Sequence, residues 1–238
     1  MMLSRRAVFL LVFQLISLMS LIALLCAAPL AAYCQERKLE PVDEAATDAS
    51  WVSFRKRLLT AVEKRDRKFV LGILDRNVRG SLDGTRGVAE FRKQWAFDST
   101  DTPLWRELKS ALFLGSAYLK REKGPRELCA PYLLARWPED LDPHDYGVVI
   151  TRDVLVKAAP SGESNTLQTL THDIVAVTDW EVADQALGDK QSWVKIKVKS
   201  GDGYVPEEQI RSPIEHSACF LKTEGGWRMT AFAPAGGG

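Results

Sequence analysis

Histidine is scarce in this chain: only His144, His172 and His216 occur among 238 residues. A catalytic zinc site draws several ligands from His and acids in a defined arrangement, and these three stand in unrelated contexts. No His-Glu-x-x-His and no Gly-x-Ser-x-Gly is present, so neither hydrolase signature applies. No Gly-rich phosphate loop occurs; Gly236-Gly237-Gly238 is a tail. Cysteine is scarce as well, and four are too few for a fold built on disulfides. Neither sign of charge is in excess: 32 Lys and Arg stand against 31 Asp and Glu, a net charge of +1. A non-specific nucleic-acid binder needs a cationic surplus to displace counterions, so nucleic acid is not expected as a partner. Hydrophobic residues make up 46% and charged residues 26%, which excludes a disordered chain.

What is present begins with the amino terminus. Residues 1–32 contain Arg5 and Arg6 and no acid. An apolar run from Ala7 to Ala32 follows, broken only by Gln14, Ser17, Ser20 and Pro29, and it ends in small residues. Basic start, apolar run and small-residue exit describe an export signal. The run also approaches the ~20 apolar residues that a membrane span needs, so an uncleaved anchor over residues 7–32 is the alternative. A lipoprotein modified at Cys34 fits less well, because Tyr33 is bulky where a small residue is wanted. No later run approaches spanning length, and the remainder is expected to be soluble, in the periplasm or outside the cell. In such an oxidising space Cys129 and Cys219 can bridge and close a long loop. Two separate buried thiols are the other reading.

Residues 33–50 are polar and acidic and read as a linker. Residues 51–147 read as mainly helical. Trp51, Phe54, Leu58 and Val62 recur at helical spacing, with Asp48 or Ser50 as the cap. Asp66 caps a second short helix bearing Phe69, Val70, Ile73 and Leu74. Asn77 to Gly87 holds three glycines and reads as turns with at most a brief strand. Val88, Phe91 and Trp95 make a third helix. In the fourth, Thr102 caps, Pro103 takes the first position, Gly115 closes, and Leu104, Leu108, Ala111 and Leu112 form the buried stripe. The basic run Lys64-Arg65 with Arg67-Lys68 reads as a solvated helix end. Asp140, Asp142, His144 and Asp145 lie in a Pro-rich stretch, but their spacing matches no calcium loop, so no metal is expected.

From position 148 the pattern changes to short β-branched runs separated by turns. In Trp193-Val194-Lys195-Ile196-Lys197-Val198 the apolar residues face one side and the lysines the other. Val154-Leu155-Val156-Lys157-Ala158-Ala159-Pro160-Ser161, then Thr166 to Leu170, Ile174 to Val177, Trp193 to Val198 and Gly203-Tyr204-Val205 follow in an order that resembles the bacterial SH3-like domain. The stretch Asp179 to Ser192 is longer than that pattern has and carries Trp180. The wider layout is similar to a group of exported bacterial proteins that place such a domain before a closing hairpin. Here that hairpin is Ala218 to Lys222 with Trp227 to Phe232. The fold expected is therefore α+β: a helical region, a small SH3-like barrel over residues 148–212, and a C-terminal hairpin with a floppy tail over residues 213–238. The front helices with a late Gly-Trp hairpin are also similar to the cone-shaped fold of nuclear-transport-factor-like proteins, with the barrel inserted before the last hairpin.

The SH3-like resemblance implies a binding module for wall peptides or an envelope partner. Its groove residues would be Trp180, Trp193 and Tyr204 beside Pro160, whose flat faces stack on a ligand without charge. Trp193 falls on the lysine side of its strand, which predicts partial exposure. The competing class is a cell-wall hydrolase or an accessory subunit of one. Cys129 with a histidine would be its nucleophile, but Leu128 and Ala130 flank that cysteine in place of the opening typical of wall cysteine peptidases. No catalytic residue and no cofactor is expected.

Overall fold

The computed structural model describes residues 37–80, 84, 86–120 and 124–234. Residues 1–32, expected to export or anchor the chain, and the last four residues lie outside the described residues. The described residues make one compact unit of helix and sheet.

Helix α1 (Ala49–Glu63) starts where Asp48 accepts the amides of Ser50 and Trp51, so Asp48 is the cap. Trp51, Phe54, Leu58 and Val62 are buried along one stripe, as their spacing predicts. Helix α2 (Arg67–Ile73) is capped by Asp66 through the Phe69 amide. It stops one residue short of expectation, because Leu74 opens strand β2 (Leu74–Arg79). Helices α3 (Val88–Gln94) and α4 (Leu104–Phe113) follow. The Thr102 hydroxyl accepts the Leu104 amide at 3.2 Å. Gly115, at φ 77°, ends the α4 segment, and a Cβ there would run into the Val42 carbonyl.

The helical region and the terminal hairpin share one sheet. Strands β3 (Ala117–Tyr118), β4 (Leu128–Ala130), β12 (His216–Thr223) and β13 (Gly226–Pro234) join β2 in the order β2-β13-β12-β4-β3. The β2–β13 contact is parallel and the others antiparallel. The hairpin is thus the centre of the sheet. Its inner face carries Phe220, Trp227, Met229 and Phe232, which pack with Trp51, Phe54, Leu58 and Leu108 from the helices. Ala233 and Pro234, expected in the floppy tail, pair with Ser217 and His216 because β13 runs on to Pro234.

The second sheet holds β1 (Arg37–Lys38), β5 (Tyr146–Val149), β6 (Val154–Lys157), β7 (Thr166–Leu170), β8 (Asp173–Asp184), β9 (Gly188–Val198), β10 (Gly201–Pro206) and β11 (Ile210–Arg211). Its order is β11-β5-β8-β9-β10-β6-β7, with β1 added beside β8. Bulges bend β8, so its first residues pair with β1 and β5 and its later ones with β9. Val154, Val156, Val194, Ile196 and Val205 fill the interior. Among the described residues the ladder is open where a closed cylinder was expected. Its last strand, β11, has two residues, and both pair with β5.

The linker expectation fails for residues 37–48. Arg37 and Lys38 pair with β8, the Leu39 amide donates to the His172 carbonyl, and Ala45 is buried. Leu39, Tyr132, Leu133 and Val148 form an apolar contact between the sheets. The Tyr132 hydroxyl donates to the Leu39 carbonyl at 2.9 Å. Burial, with the charge of Glu40, pushes that hydroxyl up to about 12.

Cys129 and Cys219 form a disulfide. They are register partners on β4 and β12 and are buried on the outer face of the five-stranded sheet with Ala231. The bridge spans 90 residues of sequence, including strands β5 to β11 of the second sheet. Loop-closure entropy for such a span reaches about 4–5 kcal/mol. Replacing both cysteines by alanine is expected to cost about 2–5 kcal/mol, read as a lower urea midpoint. An unchanged midpoint would show that the bridge carries no stability.

Candidate functional site

The aromatic residues singled out by the sequence do not line one cleft. Trp193 is only 2% exposed. Its indole N–H donates to Asp184 Oδ2 at 2.8 Å, while Asp184 Oδ1 accepts the amides of Ala186 and Leu187. Those backbone bonds, then the indole, hold the Asp184 carboxyl below the usual carboxylate range. The expected partial exposure of Trp193 is therefore overturned. Alternation does put it on the lysine side, but the β8–β9 turn closes on it there. Val182 and Pro206 are its partners across the two neighbouring strands.

Pro160 is buried too, and its carbonyl accepts the Gln185 amide in the same turn at 2.8 Å. Tyr204 is half-buried and shares a face with Trp193, two residues along the ladder. Trp180 belongs elsewhere: it packs with the interior cluster, and a Cβ on Gly147 would come within 2.8 Å of its ring. Beside Tyr204 the face is ionic rather than aromatic. Lys195 and Lys197 both pair with Asp202, which draws that carboxyl down to about 2.

A second candidate is polar and lies on the five-stranded sheet. Asp75, Asn77, Arg79, Arg86, Glu127 and Thr230 line a cleft of about 270 Å³. On β2 these residues alternate with Leu74 and Val78, which are buried in the helical core, so the cleft opens on the side away from the helices. Thr230 lies at a bulge and, next to core-facing Met229, on the outer face. Met229 pairs with Phe220 and Ala231 with Cys219, so Thr230 has no residue opposite it on β12. Its hydroxyl donates to Glu127 Oε1 at 2.6 Å.

Glu127 is 4% exposed and also meets Arg79, at 3.4 Å. Arg79 and Arg86 form an isolated antiparallel bridge, which places both guanidiniums on one side. The Asp75 carboxylate accepts the Asn77 amide at 2.8 Å. Two cations and two carboxylates therefore share one recess. The sequence reading passed over these six residues. Asp75, Asn77 and Arg79 alternate along one strand, but nothing in the chain links them to Arg86, Glu127 and Thr230 before the sheet forms.

A third group lies where α4 meets β11 and β12. Arg211 is buried; it donates to the Ser110 hydroxyl and, at 2.8 Å, to the His216 carbonyl, and it pairs with Glu215. Glu107 sits 3.7 Å from His216 Nδ1, and the rings of Trp95 and Phe232 pack on the imidazole. Burial lowers the His216 pKa below its ordinary value; Glu107 opposes that shift and Arg211 adds to it. This group ties the helical layer to the second sheet.

The remaining candidates are occupied structurally. Arg65 and Arg67 of the basic run donate to the carbonyls of Thr100, Phe97 and Ser99, and Lys64 and Lys68 are exposed. Asp140 pairs with Arg37, and Asp142 accepts the His144 amide. Among the described residues no three His, Cys, Asp or Glu side chains converge as metal ligands. Cys129 is spent in its disulfide.

Two outcomes follow from these placements. Trp193→Ala is expected to lower stability by about 3–5 kcal/mol, the cost of emptying a buried aromatic site. Denaturant unfolding checks it; a loss under 1 kcal/mol would return Trp193 to the surface. His216 binds its proton less readily folded than unfolded, so it costs stability as pH falls below about 6.5. Glu215, raised by burial, acts in the opposite sense on acidification. The wild type is therefore expected to lose more of its midpoint than His216→Asn between pH 7.5 and 5.5. Equal losses would remove His216 from the balance.

No family model, no curated protein and no solved structure matches this chain.

Proposed function

We propose that the protein is an exported, non-catalytic binding protein of the cell envelope that holds a peptide of the wall or of an envelope partner. The observation that carries this reading is the polar cleft around Glu127: charges of both signs, arranged around a buried carboxylate that accepts the Thr230 hydroxyl. Such a recess is suited to holding a polar ligand. The Cys129–Cys219 bridge supports an oxidising compartment. It also supports a non-catalytic role, since it consumes the thiol that the wall-hydrolase alternative would need.

In this reading residues 1–32 export or anchor the chain, and strands β6 to β10 are an SH3-like module. Strand order supports the module: β6 pairs with β7 and β10, and β9 with β8 and β10. The cone-shaped alternative draws on a different observation, the layer of helices packed on a sheet whose centre is the terminal hairpin. Aromatic side chains fill the space under those helices, so a ligand in that architecture would sit on the outer face as well.

The test is sedimentation with isolated sacculi, using the protein as its host processes it. The expected result is retention of the protein in the pellet without release of soluble wall fragments. Recovery wholly in the supernatant would overturn wall binding, and fragment release abolished by substitution of a cleft residue would favour the hydrolase.

A further inference from the structure

We infer that the cleft between β2, β4 and β13 binds a small zwitterionic peptide by its free carboxylate and its amino group. The inference deepens the envelope-binding reading, which supplies only the source of such a ligand. The carboxylate end of the argument rests on Arg79 and Arg86. Their backbone bridge sets two guanidiniums side by side, a like-charge placement that is unfavourable unless anions sit nearby. Glu127 meets one amino group of Arg79. Arg86, at the exposed rim, brings a second planar fork suited to a carboxylate.

The cationic end rests on Asp75 and Glu127. Asp75 engages the Asn77 amide through one oxygen and keeps a second for a ligand. Glu127 lies deeper, fixed by Thr230.

The charge balance decides the class of ligand. Among the described residues of its lining, Arg79 and Arg86 stand against Asp75 and Glu127, charges of both signs in equal number. A dianion such as phosphate would meet two carboxylates, and a simple amine would meet two guanidiniums. A molecule carrying both charges leaves the balance intact. Size narrows it further. The volume of about 270 Å³ lies just below the usual range for small-molecule sites, which fits an amino acid or a dipeptide rather than a long chain.

The experiment titrates the protein calorimetrically with D-alanyl-D-alanine, its C-terminal amide, its N-acetyl form and inorganic phosphate. The dipeptide is expected to bind, and each blocked form to bind about tenfold or more weakly, the loss for one charge-assisted hydrogen bond. Arg86→Gln is expected to weaken the dipeptide similarly with an unchanged melting temperature, because that side chain is exposed. Absence of dipeptide binding, equal binding of the amide, or tighter binding of phosphate would each overturn the inference. Sacculus retention of the wild type is scored separately. Retention without dipeptide binding sinks this inference alone, and loss of retention sinks the wall-binding reading.

Discussion

The structure depends on one packing contact, that of helix α1 on the terminal hairpin. Trp51 meets Trp227 edge-on at 4.9 Å and Phe220 at 5.1 Å, and Phe54 meets Phe220 at 5.6 Å. Such pairs contribute about 0.5–1.5 kcal/mol each beyond the area they bury. The Trp227 indole N–H donates to the Ser50 hydroxyl, and Lys222 pairs with Asp48, so the cap of α1 is tied to the hairpin as well. Residues 177 positions apart in sequence are joined in this way. Everything between them must therefore leave and return within one fold.

The second sheet is what leaves and returns. All of it but β1, that is strands β5 to β11, is inserted between β4 and β12, two strands that pair directly and are bridged by Cys129 and Cys219. The bridge and the aromatic contact lie on opposite faces of the same sheet and hold the insertion at its base. Arg211 makes a further tie from β11 to α4, and Leu39 with Tyr132 makes another. The five-stranded sheet is consequently covered by helices on one face, while the other face carries both the disulfide and the polar cleft. Four of the six cleft residues, Asp75, Asn77, Arg79 and Thr230, stand on strands β2 and β13, while Arg86 and Glu127 come from the segments that connect strands.

Much of the local structure was legible in the sequence. Asp48, Asp66 and Gly115 mark helix ends by short-range hydrogen bonds and backbone conformation, which neighbouring residues set. The strand from Trp193 to Val198 was legible for the same reason: Val194 and Ile196 are buried and Lys197 is exposed, as alternation requires. Trp193 shows the limit of that reasoning. Alternation assigns a residue to a face, but whether the face meets water depends on what folds over it. Here the Asp184 turn does so. Residues 37–48 show the same limit, since a polar composition does not reveal that β8 offers an unpaired edge to Arg37 and Lys38.

By itself the sequence determined the mixed helix-and-strand character, the helix caps, the apolar stripes and the turn into the terminal hairpin, all set by residues within a few positions of one another. Only the tertiary structure decided that the hairpin is central to a sheet, that the second sheet stays open, that Cys129 meets Cys219, and that six polar residues from separate parts of the chain share one recess. Those outcomes depend on register between distant strands. A single bulge at Thr230 changes which side chains face each other, and the local pattern of apolar and polar residues carries no mark of it.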